Sequence, residues 1–206
     1  MRVLNLYAGI GGNRKLWEDV EVTAVEHNTK IANIYKDFYP NDEIIIGDAH
    51  QYLLENYNKY DFIWSSPPCQ THSSFRQNIC VRYRNTKPEY PDMKLYQEIL
   101  FLDYNAKCNW VVENVKPYYE PLIPARTIQR HLFWSNFGIE NIIIKKDNIR
   151  KAQIPDLQKQ LNINLDNYKL ENKRQILRNC VEPELGLHII NQAKGIRIHT
   201  NQLSLL

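Results

Sequence analysis

Through residue 115 the chain alternates short apolar runs with segments in which apolar residues recur every three or four positions. The first pattern suits strands, and the second suits helices with one buried face. Residues 3–7, 22–26, 43–47, 60–65 and 109–113 are therefore expected to be strands. Residues 13–19, 29–38, 50–57 and 92–104 are expected to be helices, each bounded by glycine, proline or a polar cap. Alternation of this kind winds helices onto both faces of a mostly parallel sheet, so the expected class is α/β, doubly wound and Rossmann-like. A final amphipathic helix from Glu182 to about Gln192 would set Leu185, Ile189 and Ile190 near one face.

Two stretches break the rhythm. Residues 66–91 are polar and punctuated by proline, and residues 145–173 are rich in Asn, Lys and Gln. Long loops within compact domains are usually functional or disordered. With 206 residues the chain supports one substantial core and a small appendage rather than two full domains.

Composition narrows the class further. Hydrophobic residues make up 43% and charged residues 24%, ordinary for a globular protein. No apolar run approaches the roughly 20 residues of a membrane span, and the first twelve residues lack a signal peptide's length and cleavage site. A soluble, cytoplasmic protein without a membrane partner is expected. Cys69, Cys80, Cys108 and Cys180 show no paired spacing, so reduced thiols are expected. Cys69, His72 and Cys80 lack a second ligand pair, and no metal is assigned. A net charge of +3 does not by itself establish a nucleic-acid partner. Its distribution says more: Arg76, Arg82, Arg84 and Lys87 share one loop, with no acidic residue until Glu89.

Three constellations carry chemistry. Tyr7, Ala8, Gly9, Ile10, Gly11 and Gly12 follow an expected strand and open the next element, a turn in which glycines let the backbone approach a ligand. Glu26 and Asp48 close the next two strands, where carboxylates can accept from ribose hydroxyls and an amino group. Each has a plainer reading, Glu26 as a solvated strand end and Asp48 as a helix cap. Ser65-Ser66-Pro67-Pro68-Cys69-Gln70 then places a thiol after two stiffening prolines at the start of a polar loop. A buried structural thiol is the commoner role for a lone cysteine. Glu113, at the end of the 109–113 run, stands where a carboxyl can have a raised pKa and donate a proton; taken singly, an ordinary strand-exit carboxylate is the preferred reading.

Taken in order, these residues resemble the DNA (cytosine-5)-methyltransferase family. LNLYAGIGG looks like its first cofactor motif, AVEHN its second and GDAH its third; SSPPCQ resembles the catalytic motif and VVENV the sixth. Arg178-Asn179-Cys180-Val181-Glu182-Pro183 is similar to the closing motif, normally Gly-Asn-Ala-Val-Pro-Pro. The resemblance implies that S-adenosylmethionine is held by Tyr7 to Gly12, Glu26, His27, Asp48, Ala49, Pro68 and Asn179. It further implies that Cys69 adds to carbon 6 of cytosine while Glu113 acts at ring nitrogen 3. The partner would be double-stranded DNA with the target base flipped out, and 66–91 the loop that closes over it. The implied division is a catalytic domain over 1–140, a reduced target-recognition segment over 141–177 and a C-terminal segment over 178–206 that packs back.

The chain also departs from the family. The eighth motif, Gln-x-Arg-x-Arg, has no clean counterpart; Arg126, Arg130 and His131 occupy its place, and Arg130 is the preferred cation. Only about 40 residues separate Phe137 from Arg178, whereas specific DNA interfaces commonly bury on the order of 1,000 Å² of protein. A relaxed target, or a protein partner that supplies targeting, is the expectation, in a compact phage-type enzyme of a bacterial or phage-infected cell that guards DNA against restriction. The transfer-RNA branch of the family carries a Cys-Phe-Thr triplet that this sequence lacks. A non-enzymatic cofactor-binding subunit would have no chemical reason to keep both Cys69 and Glu113. The sequence gives no oligomeric state.

Overall fold

The structure is a computed structural model that describes residues 1–144 and 152–196. Parts of the expected recognition segment (145–151) and of the C-terminal segment (197–206) therefore lie outside the described residues. The chain groups into two compact units, Met1–Ala8 with Val20–Asn136, and Gly9–Asp19 with the residues from Phe137 onward.

The first unit is built on a seven-stranded sheet. In chain order it holds β1 (Arg2–Leu6), β2 (Glu21–Glu26), α1 (Thr29–Phe38), β3 (Glu43–Ile46), α2 (Ala49–Asn56), β4 (Phe62–Ser65), α3 (Arg82–Arg84), α4 (Lys94–Asn105), β5 (Asn109–Val115), β6 (Arg126–Ile128) and β7 (His131–Ser135). The strand order is β3-β2-β1-β4-β5-β7-β6. From β3 to β5 every neighbouring pair is parallel, whereas β7 runs antiparallel to both β5 and β6. The order reverses between β1 and β4, so the C-terminal ends of the parallel strands flank the switch point where open α/β sheets take ligands.

Burial explains why these segments are strands. Leu4, Leu6, Ile63 and Val112 are fully buried and pack with Leu53 of α2 and Leu95, Ile99 and Leu102 of α4 in one core cluster. Apolar runs covered on both faces are what a parallel sheet requires. Asn28 begins α1 by accepting from the amides of Lys30 and Ile31, and Asp48 caps α2 through the amides of His50 and Gln51.

The second unit carries α5 (Ile154–Leu161), α6 (Lys173–Asn179) and α7 (Pro183–Ala193). Leu185, Ile189 and Ile190 are buried along α7, the face that the sequence spacing indicates. A Cβ on Gly186 would lie 2.2 Å from the Asn13 carbonyl oxygen, so α7 presses directly on the backbone there.

Several expectations are corrected. Residues 13–19 form turns rather than a helix: Asn13 is held against α7, the Arg14 guanidinium donates to the Trp17 carbonyl, and Asp19 is left-handed with φ 54°. The 60–65 strand begins at Phe62, because Asp61 turns aside to bind Arg2 through its carboxylate. Within 145–173 the described part contains α5, with Pro155 in its first turn, a Gln153–Asp156 capping box, and buried Leu157 and Leu161. Three leucines or isoleucines at helical spacing among polar neighbours suffice to anchor one amphipathic helix. The loop 66–91 also contains a π-helical turn at Arg76–Val81 and the short α3. The β6–β7 hairpin has no counterpart among the expected strands.

Candidate active site

The chemistry-bearing residues of the first unit collect at the C-terminal ends of β4 and β5. Parallel pairing sets Ser65 beside Val112, so the segments leaving these strands, 66–69 and 113–115, start as neighbours. Asn114 then ties them, its side-chain amide donating to the Pro67 carbonyl at 2.9 Å. Pro67 is buried and Pro68 exposed, and Cys69 follows with its side chain half-buried. The Cys69 carbonyl accepts from the amides of His72 (3.1 Å) and Ser73 (2.9 Å), which closes a tight turn around the thiol-bearing residue.

Glu113 is buried at the end of the same platform, and His131 of β7 binds it through Nδ1 at 2.5 Å. The register accounts for this contact: β5 pairs antiparallel with β7, and the two-residue turn Gln129–Arg130 brings β7 back beside it. Gln129 adopts φ 55°, the left-handed value that a tight hairpin demands. Ser66 links the group further, accepting from Trp64 Nε1 at 2.9 Å and donating to Glu113.

Electrostatics connect the thiol, the carboxylate and Arg130. Burial pushes the Cys69 thiol up to about 11; Glu113 adds to the rise and Arg130 opposes it. Cys69 is thus a thiol at neutral pH in the free protein. Burial disfavours the Glu113 carboxylate, but the His131 ring, the Ser66 hydroxyl and Arg130 together hold its pKa below the ordinary range. The raised pKa that the strand-end position allows is not what these neighbours give. Arg130 acts on both Cys69 and Glu113, and Arg126 is exposed. Sequence reasoning offered His131 only as an alternative cation and Ser66 only within its motif, and paired neither with Glu113; the His131–Ser135 run, a strand-like pattern, was the available signal.

The loop after Cys69 leaves and returns through one neck. His72 is buried and uses both ring nitrogens, Nδ1 with the Tyr119 hydroxyl and Nε2 donating to the Asp92 carbonyl at 3.0 Å. The Asp92 amide donates to Thr71 Oγ1 at 3.0 Å, and the Tyr118 amide to the His72 carbonyl at 3.0 Å. Burial lowers the His72 pKa, which keeps the ring neutral and matched to these two partners. Beyond the neck Arg82, Arg84 and Lys87 are exposed, whereas Arg76 is engaged by Glu89 at 2.6 Å.

The remaining sequence candidates divide between the units. Tyr7 turns sharply off β1 with φ 55°, and the Ala8 amide donates to the Val25 carbonyl. Glu26 is buried at the end of β2, accepting from the Asn28 amide at 2.9 Å and facing His27 at 3.2 Å. Asp48 is the α2 cap, with Lys94 3.7 Å from its second oxygen, and Ala49 opens that helix. In the second unit Gly9 and Gly11 are left-handed, Ile10 is buried, and Asn179 is exposed at the end of α6. Gly12 serves packing: a Cβ there would lie 2.7 Å from both Cys180 Cβ and the Val181 carbonyl oxygen.

A parallel sheet with an antiparallel β7 next to β5, carrying its polar residues at the C-terminal strand ends, is the fold of S-adenosylmethionine-dependent methyltransferases. The Entamoeba histolytica methyltransferase EhMeth superposes with a TM-score of 0.57 over 96% of this chain and 99% of that one, at 8% identity. Residues 1–116 match the family described as C-5 cytosine-specific DNA methylase, and the chain belongs to that family. The family's methyl donor is S-adenosylmethionine. The tRNA (cytosine(38)-C(5))-methyltransferases of Mus musculus and Homo sapiens are each 34% identical over 77 residues, 34% of this chain. That stretch is only 19% and 20% of their respective lengths. Among the described residues, no helix is long and apolar enough to cross a membrane.

Proposed function

We propose that this protein transfers a methyl group to carbon 5 of cytosine in DNA, with Cys69 as the covalent nucleophile. The observation that supports this reading best is the geometry that brings Cys69 and the buried Glu113 together, with Ser65 paired to Val112, Asn114 bonded to the Pro67 carbonyl and His131 bonded to Glu113. The residues of the first unit also suit the methyl donor. Glu26 holds a buried carboxylate at the end of β2, Tyr7 follows β1, and His27, Asp48, Ala49 and Pro68 follow the ends of β2, β3 and β4 on the same side of the sheet. When bound, S-adenosylmethionine supplies an electrophilic methyl group.

The chain's own residues supply the rest. In the free protein one proton is misplaced for the reaction, on Cys69 rather than on Glu113. Its transfer from thiol to carboxylate on substrate binding gives a thiolate, which can form the bond to carbon 6, and an acid, which can donate to ring nitrogen 3. Electron density displaced from the carbon 5–carbon 6 double bond then makes carbon 5 nucleophilic. After methylation, loss of the carbon 5 proton and departure of the Cys69 sulfur restore the ring. Arg130 favours the thiolate throughout. The target base must leave its stack to reach Cys69, and Arg82, Arg84 and Lys87 are suited to hold the flanking phosphates.

Transfer to RNA is the second reading, favoured by the tRNA methyltransferases of mouse and human among the relatives. The test is transfer of labelled methyl from S-adenosylmethionine to unmethylated DNA and to RNA, with nucleoside mass spectrometry and Cys69→Ala as control. The expected product is 5-methyldeoxycytidine, lost in the variant. Label in RNA alone moves the protein to the second reading, and label retained by Cys69→Ala removes Cys69 from the mechanism.

A further inference from the structure

A second polar cluster lies at the same sheet edge, and the reaction sequence makes no use of it. Glu98, in the middle of α4, is 1% exposed and sits among apolar neighbours that include Ile99 and Leu102. Its carboxylate binds three groups from three different strand ends. The Tyr7 hydroxyl, just after β1, donates to Oε1 at 2.5 Å; His50 Nδ1, in the first turn after β3, lies 2.9 Å from the same oxygen; and the Ser65 hydroxyl, ending β4, donates to Oε2 at 2.6 Å.

A buried carboxylate is costly unless it is fully bonded, so a structural role alone would be served as well by a hydrophobic residue of similar volume. What this carboxylate adds is placement. Tyr7 occupies a left-handed backbone conformation, disfavoured for a residue with a Cβ, and its hydroxyl bond to Glu98 fixes the ring on that turn. His50 follows the Asp48 cap, and Ser65 immediately precedes the segment that leads to Cys69.

We propose that Glu98 is a positioning residue for the methyl donor, fixing Tyr7, His50 and Ser65 so that the strand ends offer one shape to S-adenosylmethionine. The inference rests on the reading that this edge takes that donor. The groups facing His50 are Glu98 and Lys94 on α4 and Asp48 at its own helix start. Glu98 outweighs burial and Lys94 there, so the His50 pKa is raised. Burial and then Glu98 also raise the Tyr7 pKa, which keeps the hydroxyl protonated and donating.

Three variants of the full chain test the assignment: Glu98→Gln, which keeps the shape and removes the charge, Tyr7→Phe, which removes only the hydroxyl, and the double variant. Binding of S-adenosylhomocysteine is measured by calorimetry, KM for the donor and kcat by methyl transfer, and the His50 ring by NMR titration. Glu98→Gln is expected to weaken binding and raise KM by about tenfold, with kcat at saturating donor changed less than about twofold. Tyr7→Phe is expected to weaken binding about threefold, and its effect should largely vanish in the Glu98→Gln background. The His50 pKa should fall in Glu98→Gln and stay or rise in Tyr7→Phe, whereas general loosening would move both the same way. Should Glu98→Gln fail to fold, Tyr7→Phe carries the test alone through binding and the His50 titration. Unchanged binding in both single variants, or a fall in kcat with KM unchanged, overturns the proposal. Absence of S-adenosylhomocysteine binding to the unaltered protein overturns instead the reading on which it rests.

Discussion

Burial keeps the proton on Cys69 in the free protein, and the charges of Glu113 and Arg130 tune how tightly it is held. Glu113 raises the Cys69 pKa and Arg130 lowers it. Glu113→Gln is therefore expected to speed alkylation of Cys69 at pH 8 by about threefold or more, since one pKa unit is tenfold in thiolate. Arg130→Gln should slow it, and mass spectrometry of the modified peptide separates Cys69 from the other thiols. Equal rates in all three proteins would show that these charges do not act on the sulfur. His131 has a matching consequence for acid stability. Because the Glu113 pKa is depressed in the folded chain, its contribution is complete above the unfolded carboxyl value of about 4.3 and is lost as pH falls through the folded value. In His131→Asn that acid-side loss should shrink, as followed by denaturant unfolding between about pH 3 and 6. An unaltered acid limb would place the linkage elsewhere.

The elements differ in how plainly the sequence announced them. β1, β2 and β3 and the helices α1, α2, α4 and α7 were legible because each carries its own periodicity, reinforced in α1 and α2 by the Asn28 and Asp48 caps and in α7 by Pro183 in its first turn. The β6–β7 hairpin was not. Arg126–Ile128 is only three residues long, and its turn uses left-handed Gln129 without the glycine or asparagine that usually marks such a turn. Missing the hairpin meant missing His131 as the partner of Glu113; Cys69 and Glu113 were read from their motifs, whereas Arg130 was chosen from three candidates where the motif itself is not recognisable. Gly12 also packs against Cys180, an approach that spacing alone cannot distinguish from approach to a ligand. Gly186 gave no signal at all, yet α7 depends on it. Gly186→Ala puts a Cβ 2.2 Å from the Asn13 carbonyl oxygen, and overpacking of this kind costs about 1–3 kcal/mol. The expected fall in melting temperature is about 2–4 °C for each kcal/mol, read by thermal unfolding; no shift would mean that α7 moves away without cost.

For the whole molecule, charge bears on how nucleic acid would be held under the proposed function. A net charge of +3 over 206 residues is too small to attract a polyanion unless it is concentrated. Arg82, Arg84 and Lys87 provide such a concentration beyond the loop neck, whereas Arg76 is committed to Glu89. Replacing all three by alanine is expected to reduce the slope of log affinity against log salt for duplex DNA by up to about 3, with little change in sequence preference. A slope left intact would assign phosphate contact to other cations.

The neck itself has an engineering consequence. Since residues 73–91 depart and return through His72, Thr71 and Asp92, the covalent chain at the loop tip is not what holds its two ends together. Severing the backbone after exposed Asn85 leaves β4 on one fragment and β5 on the other, and the four registered pairs from Phe62–Asn109 to Ser65–Val112 would still join them. Fragments 1–85 and 86–206, expressed together, are expected to co-purify as a complementing pair, so that the loop tip would accept a cut or an inserted domain without parting β4 from β5.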